Sequence, residues 1–129
     1  MEQKILLRKL GPIIEKAMVP QRVVLIFGAR RVGKTILLES ILKQVKGNVM
    51  LLNGDDADTL RLLEERSISN YRRLLNGVDV LAIDEAQQIP EIGHKLKLIV
   101  DTLQNIRVIA TGSSSFDLAN KINEPLTGR

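Results

Sequence analysis

Gly28-Ala29-Arg30-Arg31-Val32-Gly33-Lys34-Thr35 fits the pattern G-x-x-x-x-G-K-[ST], and the apolar run Val23-Val24-Leu25-Ile26-Phe27 leads straight into it. The order of the two segments decides the reading. A buried strand that delivers the chain to a tight turn, with a helix starting at once behind it, gathers backbone N–H groups onto phosphate oxygens. The glycines of the motif leave room for that approach. Lys34 is placed to reach the terminal phosphates, and the Thr35 hydroxyl is placed to ligate Mg2+. Gly28, Arg30, Arg31, Val32, Gly33, Lys34, Thr35 and Ile36 are therefore the expected nucleotide-binding residues.

Outward from this stretch, apolar strands alternate with helical patterns. Residues 2–18 keep one helical face apolar, with Gly11-Pro12 expected to kink or break the helix. The first strand is expected over 22–27. The helix behind the motif runs from Gly33 to about Val45, with Ile36, Leu37, Ser40, Ile41 and Val45 toward the sheet and Gly47 as its stop. A second strand at 48–53 ends in Gly54-Asp55-Asp56. Helices follow at about 57–65 and 68–76, the second capped by Ser67 or Ser69. The third strand, 78–83, delivers Asp84-Glu85. Pro90 opens a helix over 90–104, the fourth strand is 106–111, and a short helix over 116–122 follows the Gly112–Ser115 turn.

Near-continuous apolar strands separated by helices mean right-handed βαβ crossovers and a sheet covered on both faces. Ligands of such sheets sit at the carboxyl ends of the strands. The Gly28–Thr35 loop, Asp55-Asp56, Asp84-Glu85 and Ser113–Ser115 all leave the sheet there.

Composition narrows the rest. A chain of 129 residues suits one domain with its own core. The absence of cysteine excludes disulfides and thiolate metal sites. The lone His94 has no partner at metal-ligand spacing and reads as a surface residue. No stretch reaches the roughly 20 apolar residues of a membrane span, and Met1-Glu2-Gln3-Lys4 leads into no signal-peptide pattern, so a cytoplasmic protein is expected. The net charge of +4 is scattered, and Phe27, Tyr71 and Phe116 are too dispersed to stack bases, so composition does not argue for nucleic acid. Arg61, Arg66, Arg72 and Arg73 read as a solvated face, with a phosphate-backbone contact as the sharper alternative.

An apolar strand ending in adjacent acids supplies what phosphoryl transfer needs beside a phosphate-binding loop. One carboxylate holds the metal through its water shell; the next orients and deprotonates water. Asp84 is assigned to Mg2+ and Glu85 to the general base.

Together with Gly28–Thr35, the segments Val80-Leu81-Ala82-Ile83-Asp84-Glu85-Ala86-Gln87-Gln88-Ile89-Pro90, Ala110-Thr111-Gly112-Ser113-Ser114-Ser115 and Leu126-Thr127-Gly128-Arg129 resemble the AAA-superfamily P-loop ATPases of archaea and bacteria. That resemblance implies a three-layer αβα P-loop NTPase fold with a mainly parallel sheet in the order 1-4-3-2. It also implies a fifth strand beside the first and a lid or other C-terminal region. Neither is expected from this chain, so residues 1–129 read as the ATPase core of a longer protein. The implied ligands are ATP or ADP with Mg2+, and the implied reaction is ATP hydrolysis. The γ-phosphate sensor is carried over to Ser113 or Ser114. Arg129 corresponds to the arginine that reaches a neighbouring subunit's nucleotide, which implies a homo-oligomer.

Other P-loop proteins fit less well. Asn120-Lys121-Ile122-Asn123 lacks the final Asp of a guanine-reading motif, the chain has no room for the second motor domain of a helicase, and no acceptor site or lid for a kinase is visible. The alternative from a different class is a nucleotide-dependent binding or switch module with little or no turnover, acting on nucleic acid through further domains. Hydrolysis measured beside nucleotide affinity separates the two.

Overall fold

Each of the first three strands feeds a helix that carries the chain back to begin the next parallel strand. The computed structural model describes residues 11–28 and 33–113. Within them lie a helix at residues 11–17 (α1), β1 (Val23–Phe27), α2 (Lys34–Gln44), β2 (Val49–Asn53), α3 (Ala57–Glu64), α4 (Ile68–Leu74), β3 (Val80–Asp84), a 3-10 turn (Ala86–Gln88), α5 (Ile92–Thr102) and β4 (Arg107–Gly112). All described strand pairs are parallel, in the order β1-β4-β3-β2. This is the expected 1-4-3-2 order. Val23 sits opposite Val108, Val49 opposite Val80, and Ile83 opposite Ala110.

Alternation along each strand divides the core into two layers. Val24, Val80, Ala82 and Ile109 face α2 and Met18, with Ile14 and Ala17 of α1 packed at the margin. Val23, Leu25, Leu81, Ile83, Val108 and Ala110 face the helices α3, α4 and α5 through Leu63, Tyr71, Leu96 and Ile99. The central β3 is buried along its whole length. β1, which has β4 as its one strand neighbour among the described residues, keeps Val23, Val24 and Leu25 buried. β2 is the opposite edge, and there Leu51 is 49% exposed, lining a cleft with Leu38 and Glu39 of α2.

Several boundaries differ from expectation for local reasons. The buried residues of α2 are Lys34, Leu37, Leu38 and Ile41, an i, i+3, i+4, i+7 stripe counted from Lys34, so Ile36 falls on the outer face at 51% exposure. The same helix stops at Gln44 because Val45 is already extended, two residues before Gly47. The helix expected over 90–104 starts only at Ile92: Ala86–Gln88 form a 3-10 turn, and Glu91 adopts a left-handed φ of 52° that no α-helix accommodates. Of the two candidate caps for α4, Ser67 accepts the Asn70 N–H at 3.1 Å. The first part of the expected 2–18 helix, Arg30, Arg31, Val32, Ser114, Ser115, the expected helix at 116–122 and Arg129 lie outside the described residues.

Candidate nucleotide site

The site begins at the head of α2. Gly33 is its N-cap, with φ 79° and ψ 27°, a left-handed conformation that costs a residue with a Cβ about 1–2 kcal/mol. No side chain caps this end, so the first N–H groups of α2 remain donors without a side-chain claim, at the positive pole of the helix. Gly28, at the other end of the loop, donates its N–H to the Gly112 carbonyl at 3.2 Å and so ties the loop's start to β4.

Lys34 and Thr35 open the helix and turn toward the end of β3. The Thr35 hydroxyl donates to Asp84 Oδ2 at 2.8 Å. The Lys34 ammonium, 3% exposed, lies 4.0 Å from Glu85 Oε2. Residues 49 or more positions apart thus meet at the expected edge of the sheet. Asp84 itself is the last residue of β3, opposite Asn53 of β2.

Each oxygen of the Asp84 carboxylate takes a hydroxyl. Oδ2 accepts from Thr35, and Oδ1 accepts from Thr111, a fully buried residue of β4. Thr111 Oγ1 in turn accepts the Glu85 N–H at 3.1 Å. Charge-assisted bonds of this kind hold a buried carboxylate that would otherwise be costly. Glu85 then turns sharply, with φ 52° and ψ 47°. A left-handed non-glycine residue stores about 1–3 kcal/mol of strain, and such residues gather at functional sites.

Gln87 and Ser113 complete the cluster. The Gln87 amide nitrogen donates to Glu85 Oε1 at 2.7 Å and to Ser113 Oγ at 2.9 Å. From the β2 side, Gly54 donates its N–H to the Asp84 carbonyl at 2.7 Å, and a Cβ at Gly54 would lie 2.1 Å from the Glu85 carbonyl oxygen. Only glycine permits that approach.

Of the expected site residues, Lys34, Thr35, Asp84, Glu85 and Ser113 are brought into one cluster, and Gly28 and Gly33 frame the loop. Ile36 points outward. Asp56 caps α3, accepting the Asp58 N–H at 2.9 Å, and lines a cleft of about 340 Å³ with Thr35 and Asp84. The reading from sequence missed Thr111, Gln87 and Gly54 as working residues. A polar residue at the buried end of an otherwise apolar strand was the one available signal, and it pointed to Thr111.

The donor set suits Mg2+. A hydroxyl and a carboxylate, both hard oxygens, already meet at 2.8 Å between Thr35 and Asp84, and Mg2+ is held by one or two such groups with phosphate and water filling the remainder. No group of three or more His, Cys, Asp or Glu that could hold a metal ion occurs among the described residues. Volume does not mark the site: a larger cleft of about 520 Å³ between α3 and α5 is lined by Arg66, Glu91 and Lys95 and shares no residue with it.

A parallel 1-4-3-2 sheet, a Gly-Lys-Thr helix start behind β1 and an acidic pair at the end of β3 define a P-loop NTPase fold. The chain belongs to the AAA domain family, which matches residues 20–129. It is thereby a nucleotide-binding, ATPase-like module. No curated protein matches the chain. No helix among the described residues is long and apolar enough to cross a membrane.

Proposed function

We propose that the chain binds Mg-ATP and hydrolyses it to ADP and phosphate. The observation that carries this reading is the Thr35–Asp84 contact at 2.8 Å with Lys34 and Glu85 in the same cluster. In this reading the N–H groups of the loop and of the α2 N-terminus bind the phosphates, and Lys34 leaves Glu85 for their terminal oxygens. Thr35 and Asp84 hold Mg2+, which neutralises phosphate charge when bound. Glu85 orients the attacking water and accepts its proton. Ser113 hydrogen-bonds the γ-phosphate, and Arg129 of one copy serves the nucleotide of another.

Phosphate release from ATP, followed with and without Mg2+, tests the reading. Wild-type protein should turn over with saturable, Mg-dependent kinetics, and Glu85→Gln should keep ATP binding while losing about 10²–10⁴ in rate. A wild-type rate no higher than that of Glu85→Gln removes the hydrolytic assignment and leaves a nucleotide-binding switch.

A further inference from the structure

The main-chain ladder between β3 and β4 ends at Ile83 and Ala110. Beyond that pair the strands run into separate turns, and side chains make the remaining connections. Gln87 makes two of them and a third bond on its own side. Its amide nitrogen donates to Glu85 Oε1 at 2.7 Å and to Ser113 Oγ at 2.9 Å, while its carbonyl oxygen accepts the Ser113 N–H at 3.3 Å. One side chain therefore grips the acid at the end of β3 and the polar residue at the end of β4.

The bonds fix which atoms face which partner. Ser113 Oγ is used as an acceptor, so its own O–H is not spent on Gln87 and can donate elsewhere. A hydroxyl that accepts a hydrogen bond is polarised into a better donor. On the other side, Gln87 occupies Glu85 Oε1, and Oε2 is the oxygen turned toward the Lys34 ammonium at 4.0 Å.

We propose that Gln87 is a positioning residue that fixes the Glu85 carboxylate through Oε1 and couples its orientation to Ser113, so that a γ-phosphate engaging the Ser113 hydroxyl is reported to the base. The proposal rests on the hydrolytic reading above. It assigns the proton-accepting role to Oε2, the oxygen opposite the one that Gln87 holds. It also gives ATP and ADP different effects on Glu85, because ADP has no γ-phosphate to draw on Ser113.

Two measurements on the full chain test the coupling. In steady-state kinetics, Gln87→Ala should lower kcat by about 10–10²-fold, the penalty for a misplaced catalytic group, with the ATP Kd within about 2-fold of wild type. Gln87→Asn keeps the amide but is one methylene shorter, and it should not restore the rate. The second measurement needs no turnover: the side-chain carboxyl resonance of Glu85 is followed by NMR in the nucleotide-free protein. Ser113→Ala should move it when Gln87 is present and leave it in place in the Gln87→Ala background. A resonance that Ser113→Ala moves equally in both backgrounds, or in neither, overturns the coupling. So does a Gln87→Ala kcat within about 2-fold of wild type. A silent wild-type enzyme with the NMR coupling intact overturns the hydrolytic reading instead, and leaves the link between Ser113 and Glu85 standing.

Discussion

Asp79, which immediately precedes β3, and Asp84, its last residue, do different kinds of work. At the amino end, the main chain closes the sheet: Asp79 donates its N–H to the Asn48 carbonyl at 2.8 Å, and its own carbonyl accepts the Arg107 N–H at 3.0 Å. The Asp79 carboxylate adds one more main-chain partner, the Asn48 N–H at 2.7 Å. At the carboxyl end the carboxylate takes one main-chain donor, the Glu85 N–H at 3.2 Å, beside the hydroxyls of Thr35 and Thr111, and the link to the end of β4 is continued by the Gln87 side chain. Main-chain closure has a fixed geometry. Hydroxyls and amides rotate, and can exchange a protein partner for a phosphate or a metal without moving the backbone. The amino end is built to stay and the carboxyl end to trade partners.

The largest effect that separates the two ends is Asp84→Asn. An amide in place of the carboxylate still accepts from one threonine hydroxyl, but it removes the charge that would hold Mg2+. Several kcal/mol of transition-state stabilisation are then lost, equivalent to about 10²-fold or more in the rate of phosphate release. The melting temperature should hold or rise, since a buried charge has been neutralised and such sites are kept for function rather than stability. Calorimetry beside the rate assay checks both halves. A large drop in melting temperature would mean that the carboxyl end is structural after all.

How much of this was readable in the sequence follows from the range of each signal. Gly28–Thr35 and Ile83-Asp84-Glu85 are contiguous, so their chemistry is visible locally, and the alternation of strands and helices gives the parallel class. The order 1-4-3-2 came from family resemblance, because pairing between distant strands leaves no mark in either strand alone. Thr111 and Gln87 were passed over as partners because each works across 26 or 27 positions of sequence and neither has a spacing that announces its partner. Gly54 looked like a strand terminator, and its closeness to the Glu85 carbonyl exists only in three dimensions. Ile36 was misplaced by the phase of one helix: an apolar residue at its third position fits the motif, but the buried stripe is counted from Lys34.

A second prediction tests whether the helical layer, rather than either end of β3, sets the alkaline limit of the fold. Burial pushes the Tyr71 hydroxyl up to about 12, partly opposed by the charge of Arg66, and the hydroxyl donates to the Leu63 carbonyl at 3.1 Å. The protonated form is favoured in the folded state, so its contribution is complete below the unfolded value near 10 and is lost as pH rises toward 12. Between about pH 8 and pH 11 the loss is about 1.4 kcal/mol. Lys95 has the opposite slope. Burial lowers its pKa, with Glu91 and Glu64 opposing and Arg66 assisting, so the cost of its buried charge is relieved as pH rises through the lowered value toward 10.5. Urea titrations across this range should show Tyr71→Phe removing the alkaline decline and Lys95→Met removing the opposing rise. An unchanged decline in Tyr71→Phe would move the origin of the alkaline limit elsewhere.

The smallest effect belongs to Asp79, and it is the one that keeps the comparison honest. Its carboxylate is solvent-exposed, and it accepts one backbone N–H in a closure that the main chain largely makes without it. Asp79→Ala therefore removes one hydrogen bond with a charged acceptor and leaves the Asn48 N–H to water, for a cost of about 1 kcal/mol. Asp79→Asn keeps an acceptor oxygen at the same reach and should cost less. Neither substitution touches a residue that meets Lys34, Thr35 or Glu85, so ATP affinity and the rate of phosphate release should stay at wild-type values. Urea unfolding measures the first quantity and the same kinetic assay the second. If Asp79→Ala slowed phosphate release as strongly as it lowered stability, the two ends of β3 would be coupled through the strand, and the division between a fixed end and an exchanging end would fail.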